Sequence, residues 1–159
     1  MNPTIFVKMV LDAWHLKIKE ANDIFNRVSD EQLLQEVAPN RNRGIYLLGH
    51  YTATHDAMLP LLGFGERIYA HLDDAFHDNP DRVKPITVSA PDLRAGWKNI
   101  NAVLEDHFNK MSPEMWFTKH KAISEEDFKN QPHRNKLNVI ITRTNHLAYH
   151  NGQLIFLLK

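Results

Sequence analysis

The sequence has no cysteine among its 159 residues. That absence excludes disulfides, thiolate nucleophiles and thiolate metal ligands together. Any metal site must then draw on imidazole, carboxylate and water, a donor set that suits zinc, nickel, iron, manganese or copper. An excess of charge of either sign is missing too: 19 Lys and Arg balance 19 Asp and Glu, for a formal net charge of zero. Nothing is left over to neutralise a phosphate backbone, so no nucleic-acid partner is expected. No apolar run approaches the ~18 residues of a membrane span, so no membrane partner is expected. The start, Met1-Asn2-Pro3-Thr4-Ile5-Phe6, has no charged segment ahead of a long apolar one. No signal peptide is therefore expected, and the default location is the cytoplasm. Internal repeats, low-complexity tracts and strand signals are absent as well.

What remains is an ordinary globular composition, 43% hydrophobic and 24% charged. Its length suits a single domain, residues 1–159, with a real core. The apolar residues recur at helical spacing. Phe6, Met9, Val10, Ala13, Leu16, Ala21, Ile24 and Phe25 mark a first long helix from Pro3 to about Val28. Ser29 with Gln32 reads as a capping box opening a short helix from Asp30 to about Val37. An Asn of the polar stretch Asn40-Arg41-Asn42-Arg43-Gly44 is placed to cap a second long helix, about Arg43 to Leu62. Pro60 should kink or end it. From Gly63 to Ser89 the periodicity dissolves, apart from a turn or two near Tyr69 to Phe76. So long a connection suits a crossover that joins parallel helices. Ser89, Pro91 and Asp92 start a third long helix through Leu93, Trp97, Ile100, Leu104, Phe108 and Met111. Ser112-Pro113-Glu114 restarts a short turn, and Ser124 to Asp127 is a further turn in a looped segment. The last long helix spans about Asn135 to Leu158. Four long amphipathic helices without strands predict an all-α fold, a four-helix bundle.

Chemistry points to the histidines. His146 and His150 stand four apart, one above the other on a helix, where two neutral imidazoles can share a divalent cation. Spacing alone decides little, since ten histidines in 159 residues supply roughly 0.6 such pairs by chance. On the second helix, periodicity does not choose between His50 and His55 as a partner across the core. His107 lies near the seam of the third helix. His15, His71, His77, His120 and His133 sit in loops or on polar faces.

The chain resembles the DinB/YfiT-like superfamily of metalloenzymes over nearly its whole length. The resemblance rests on the Asn-rich start of a second helix that leads to Gly49-His50, on the long crossover before the third helix, and on His146-x-x-x-His150-x-Gly152-Gln153-Leu154. It implies His50, His146 and His150 as metal ligands, an up-down-down-up bundle with the crossover between helices 2 and 3, and a homodimer. It also implies a metal-dependent enzyme acting on a small molecule, a hydrolase or a thiol S-transferase that uses a low-molecular-weight thiol as cofactor. The ion would be zinc, nickel, iron or manganese. Three imidazoles leave a coordination position open for water or substrate. Gln153 and Thr54, one turn beyond His150 and His50, are candidates to line the site, whereas Tyr51, Asp56 and Tyr149 would reach it only from an opened bundle. Two other readings stand beside the enzyme: a non-catalytic metal-binding or stress-associated protein, and a metal-free helical dimerisation module.

Overall fold

The computed structural model describes residues 2–158. Among them the chain is helical, with no strand and two isolated bridges, Glu36 with Arg43 and Lys119 with Asn135. The first helix, α1 (Pro3–Arg27), begins at Asn2, whose side chain accepts the Thr4 N–H. Ser29 and Gln32 close the capping box of α2 (Asp30–Leu33). That helix is shorter than the sequence suggests. Past Leu33 the backbone turns back on itself, and the Val37 N–H bonds the Asn42 carbonyl instead of continuing the helix.

The second long helix is two. α3 (Gly44–Asp56) and α4 (Met58–Leu62) part at Ala57. Pro60 is the cause: it has no N–H to offer the Asp56 carbonyl four residues back, and its ring crowds that oxygen. The break thus falls a turn before the proline. Gly63 ends α4 in a left-handed conformation, with Phe64 N–H on Leu59 O and Gly63 N–H on Pro60 O, the paired bonds of a Schellman cap. No Asn caps α3. Its N-cap is Arg43, which has no side-chain cap bond. The Arg43 N–H donates instead to the Asp81 carboxylate at 2.8 Å, and the guanidinium binds the same group.

The segment from Gly63 to Ser89 carries a short 3-10 turn (Ala70–Leu72) and α5 (Asp73–Phe76). It is tied to α3 at both ends. Buried Asp56 accepts the N–H groups of Ile68 and Tyr69 and pairs with Arg67, which also binds Asp73. At the other end, Asp81 holds Arg43 and the Tyr46 hydroxyl donates to the Asn79 carbonyl. Phe76 is fixed between these ties and is 1% exposed.

α6 (Ala90–Phe108) starts at the Ser89 cap, α7 (Glu125–Asn130) at Ser124, and α8 (Lys136–Leu154) at Asn135. A 3-10 turn, Ile155–Leu157, follows α8. Cross-helix contacts fix the relative directions. α1 and α8 run the same way: Asn151 reaches the Lys17 carbonyl, and Arg27 lies by Leu158. α3 and α6 also run the same way, with Tyr51 on Trp97 and His55 on Asn101. α1 opposes α6, since Arg94 reaches the carbonyls of Phe25 and Val28 while His15 meets Glu105. α3 opposes α8: Gly44 lies against Leu157, and the Tyr51 hydroxyl donates to Asn151. The buried apolar side chains of the long helices and of Phe76 form one core cluster.

Candidate metal centre

α3 and α8 bring His50, His146 and His150 together. One ligand atom from each lies within 4.8 Å of the others. The His50 ring centroid is 4.9 Å from that of His146 and 5.3 Å from that of His150. All three side chains are half-buried.

Their partners fix two of the tautomers. His50 Nδ1 lies 2.6 Å from the Phe76 carbonyl. A carbonyl only accepts, so Nδ1 carries the proton and Nε2 keeps its lone pair. His150 Nδ1 lies 2.9 Å from Gln153 Oε1, which leaves its Nε2 free in the same way. His50 Nε2 and His146 Nε2 stand 2.9 Å apart. Nitrogens around one tetrahedral ion at 2.0–2.1 Å are about 3.3 Å apart, so the pair lies within a few tenths of an ångström of ligand spacing. Acceptors behind metal-binding imidazoles fix the ring and raise its basicity; the Phe76 carbonyl and Gln153 occupy those positions for His50 and His150.

Burial keeps these imidazoles neutral. It lowers His50 to about 4, against the opposing bond to Phe76. It lowers His146 to about 3, helped by the charges of His50, His150 and Arg143. His150 is lowered by burial, with Gln153 opposing. At neutral pH His50 and His150 offer their Nε2 lone pairs without displacing a proton; no partner on Nδ1 fixes the tautomer of His146.

Gly49 makes the arrangement possible. A Cβ there would meet the Phe76 ring at 2.3 Å. The glycine lets the ring lie against α3, and so sets the Phe76 carbonyl over His50. Gly152, by contrast, has open space where its Cβ would be, so packing does not explain it.

The other candidates go elsewhere. His55 is fully buried, its ring between Trp14 at 4.8 Å and Trp97 at 4.7 Å, with Nδ1 on Asn101. Thr54 does not line the site; its hydroxyl donates to the carbonyls of His50 and Tyr51 in its own helix. Asp56 belongs to the Arg67 network. The Tyr51 ring lies 6.0 Å from His150, but its hydroxyl is taken by Asn151. Tyr149 is exposed with its ring 5.0 Å from His150. His107 stacks on Phe64, and a groove of about 500 Å³ between α1 and α6 touches none of the three histidines. Two residues that matter were not singled out by sequence. Phe76 acts through a backbone carbonyl, which has no sequence signature. Arg143 did carry a signal, since it shares the α8 stripe of His146 and His150.

No protein-family model matches the chain, and no curated protein matches it. Among solved structures, the chain is similar to one described as the crystal structure of the conserved protein of locus from Enterococcus faecalis. The TM-score is 0.65 at 11% identity, over 95% of this chain and 94% of that one. The likeness is one of fold.

Proposed function

We propose that His50, His146 and His150 bind one divalent metal ion, and that the protein is a metal-dependent enzyme of hydrolase or thiol S-transferase type built on an up-down-down-up four-helix bundle like that of the DinB/YfiT-like superfamily. The directions of the four long helices support the bundle. The observation that carries the site is the convergence of the three imidazoles, two of them with Nε2 freed by an acceptor on Nδ1. A bound ion would supply Lewis acidity, making a water or thiol beside it easier to ionise near neutral pH. The chain supplies the rest: Phe76 and Gln153 hold the rings in register, and three protein ligands leave room for a small molecule or a low-molecular-weight thiol.

Elemental analysis of protein purified without a His-tag should find about one ion per chain in the wild type and none in the His50→Ala, His146→Ala, His150→Ala triple variant. Metal-loaded wild type and the triple variant are then screened with thiols paired with electrophiles and with ester and amide substrates. Turnover confined to the wild type is expected. Equal rates in both would end the enzymatic reading and leave a metal-binding protein; a wild type without metal would end the site itself.

A further inference from the structure

Arg143 stands one turn before His146 on the same face of α8. Of the four other partly buried arginines, three are well answered, and Arg134 has no side-chain partner among the described residues. Arg43 binds Asp81, Arg67 binds Asp56 and Asp73, and Arg94 binds Asp30 and two backbone carbonyls. Arg143 has no hydrogen bond and no ion pair with any described residue, and its Nε is fully buried without a partner. A guanidinium does not escape this by losing its proton. Only its Nε is shut off from water, and the rest of the guanidinium is not counted among the buried atoms; a half-buried cation with no counter-ion among the described residues is placed to take an anion from outside the chain.

The place where that anion would sit is marked by its neighbours. The Arg143 charge acts on His50, on His55 and on His146. His146 Nδ1 is also fully buried without a partner. When His146 ligates through Nε2, its Nδ1 bears a proton and becomes a second donor without an acceptor. Among the described residues, no carboxylate approaches the three histidines closely enough to join their cluster. The centre is thus made of neutral imidazoles and one unanswered cation.

We propose that Arg143 is an anion-binding residue of this centre, and that the molecule handled there carries a carboxylate or a phosphate that pairs with its guanidinium. The assignment rests on the three-histidine reading for its location but not for its test. Arginine presents a planar fork that matches either oxyanion, so the two chemistries are separate arms of the experiment.

Wild type, Arg143→Met and Arg143→Lys are compared by metal content, thermal unfolding and titration calorimetry. The probes are acetate and inorganic phosphate at fixed ionic strength. Metal content should be the same in all three proteins, because Arg143 is not a ligand. Without added anion, Arg143→Met should melt slightly above wild type, since a partly desolvated charge without a counter-ion is gone. One of the two probes should raise the melting temperature of wild type, and should bind Arg143→Met at least ~10-fold more weakly, with Arg143→Lys between them. The responding probe tells carboxylate from phosphate. Equal affinity of wild type and Arg143→Met for both probes would overturn the assignment, as would a wild type that binds neither. A wild type without metal ends the metal reading alone; the same pair, metal-free, still decides for or against Arg143.

Discussion

His50 and His55 leave the same helix little more than a turn apart, and burial lowers the pKa of both, to about 4 and about 3. Their settings are otherwise opposite. His55 is closed in by two tryptophans, with Asn101 on Nδ1. His50 turns toward α8 and presents Nε2 to His146. Burial and a depressed pKa are therefore not what marks a candidate centre. The mark is three imidazoles converging on one point, two of them held there by a bond on the far side of the ring.

The largest effect should separate the two residues. Replacing His55 by Ala removes a ring packed on both faces and should destabilise the metal-free protein by about 2–4 kcal/mol. His50→Ala empties a half-buried position and should cost less than about 1.5 kcal/mol while abolishing metal binding. Urea midpoints and metal stoichiometry of both variants check this. Equal destabilisation, or metal lost from His55→Ala in its folded state, would erase the distinction.

Acid should sharpen it. An unfolded histidine titrates near ~6.5, and folded His55 only near about 3, so the unfolded chain takes up protons first. The stability due to neutral His55 is complete above about pH 6.5. It is lost as pH falls toward about 3, by up to about 1.4 kcal/mol per pH unit. In His55→Leu, which has no ring to protonate, metal-free stability should fall less steeply over that window. An unchanged slope would mean that other groups carry it.

Gly49 tests how His50 is held. Gly49→Ala sets a Cβ 2.3 Å from the Phe76 ring. Overpacking of that kind costs about 1–3 kcal/mol, and a displaced Phe76 carbonyl should weaken metal binding by ~10–100-fold. Wild-type affinity in a folded Gly49→Ala protein would remove Phe76 from the centre. The smallest effect belongs to Gln153→Leu, which takes the acceptor from His150 Nδ1. Metal affinity should drop about 10-fold with stability within about 0.5 kcal/mol of wild type; competition with a chelator measures it.

The helices were legible where the signal is local. Ser29, Ser89 and Ser124 each accept the backbone N–H three residues on, and a cap of that kind is written within one turn. The starts of α1 and α8 follow the same logic. Errors arose where a distant group took part. No Asn caps α3, and Asp81 from the crossover binds the N–H of its N-cap residue, Arg43; α2 stops short because the chain turns back on itself. The Pro60 break was foreseen, but its position follows from the carbonyl that the ring opposes.

By itself the sequence determined an all-α chain, the starts of its capped helices, and the stacking of His146 over His150, because a cap is written within one turn and a helix repeats every ~3.6 residues whatever surrounds it. The choice of His50 over His55 needed a resemblance, since both periodic faces of α3 are apolar and nearly all of α3 is buried. Only the tertiary structure decided which face meets α8, that a phenylalanine carbonyl far along the crossover would hold His50, and that Arg143 would have no counter-charge among the described residues. Those outcomes depend on which distant groups the packed core leaves within hydrogen-bonding reach, and no spacing along the chain records that.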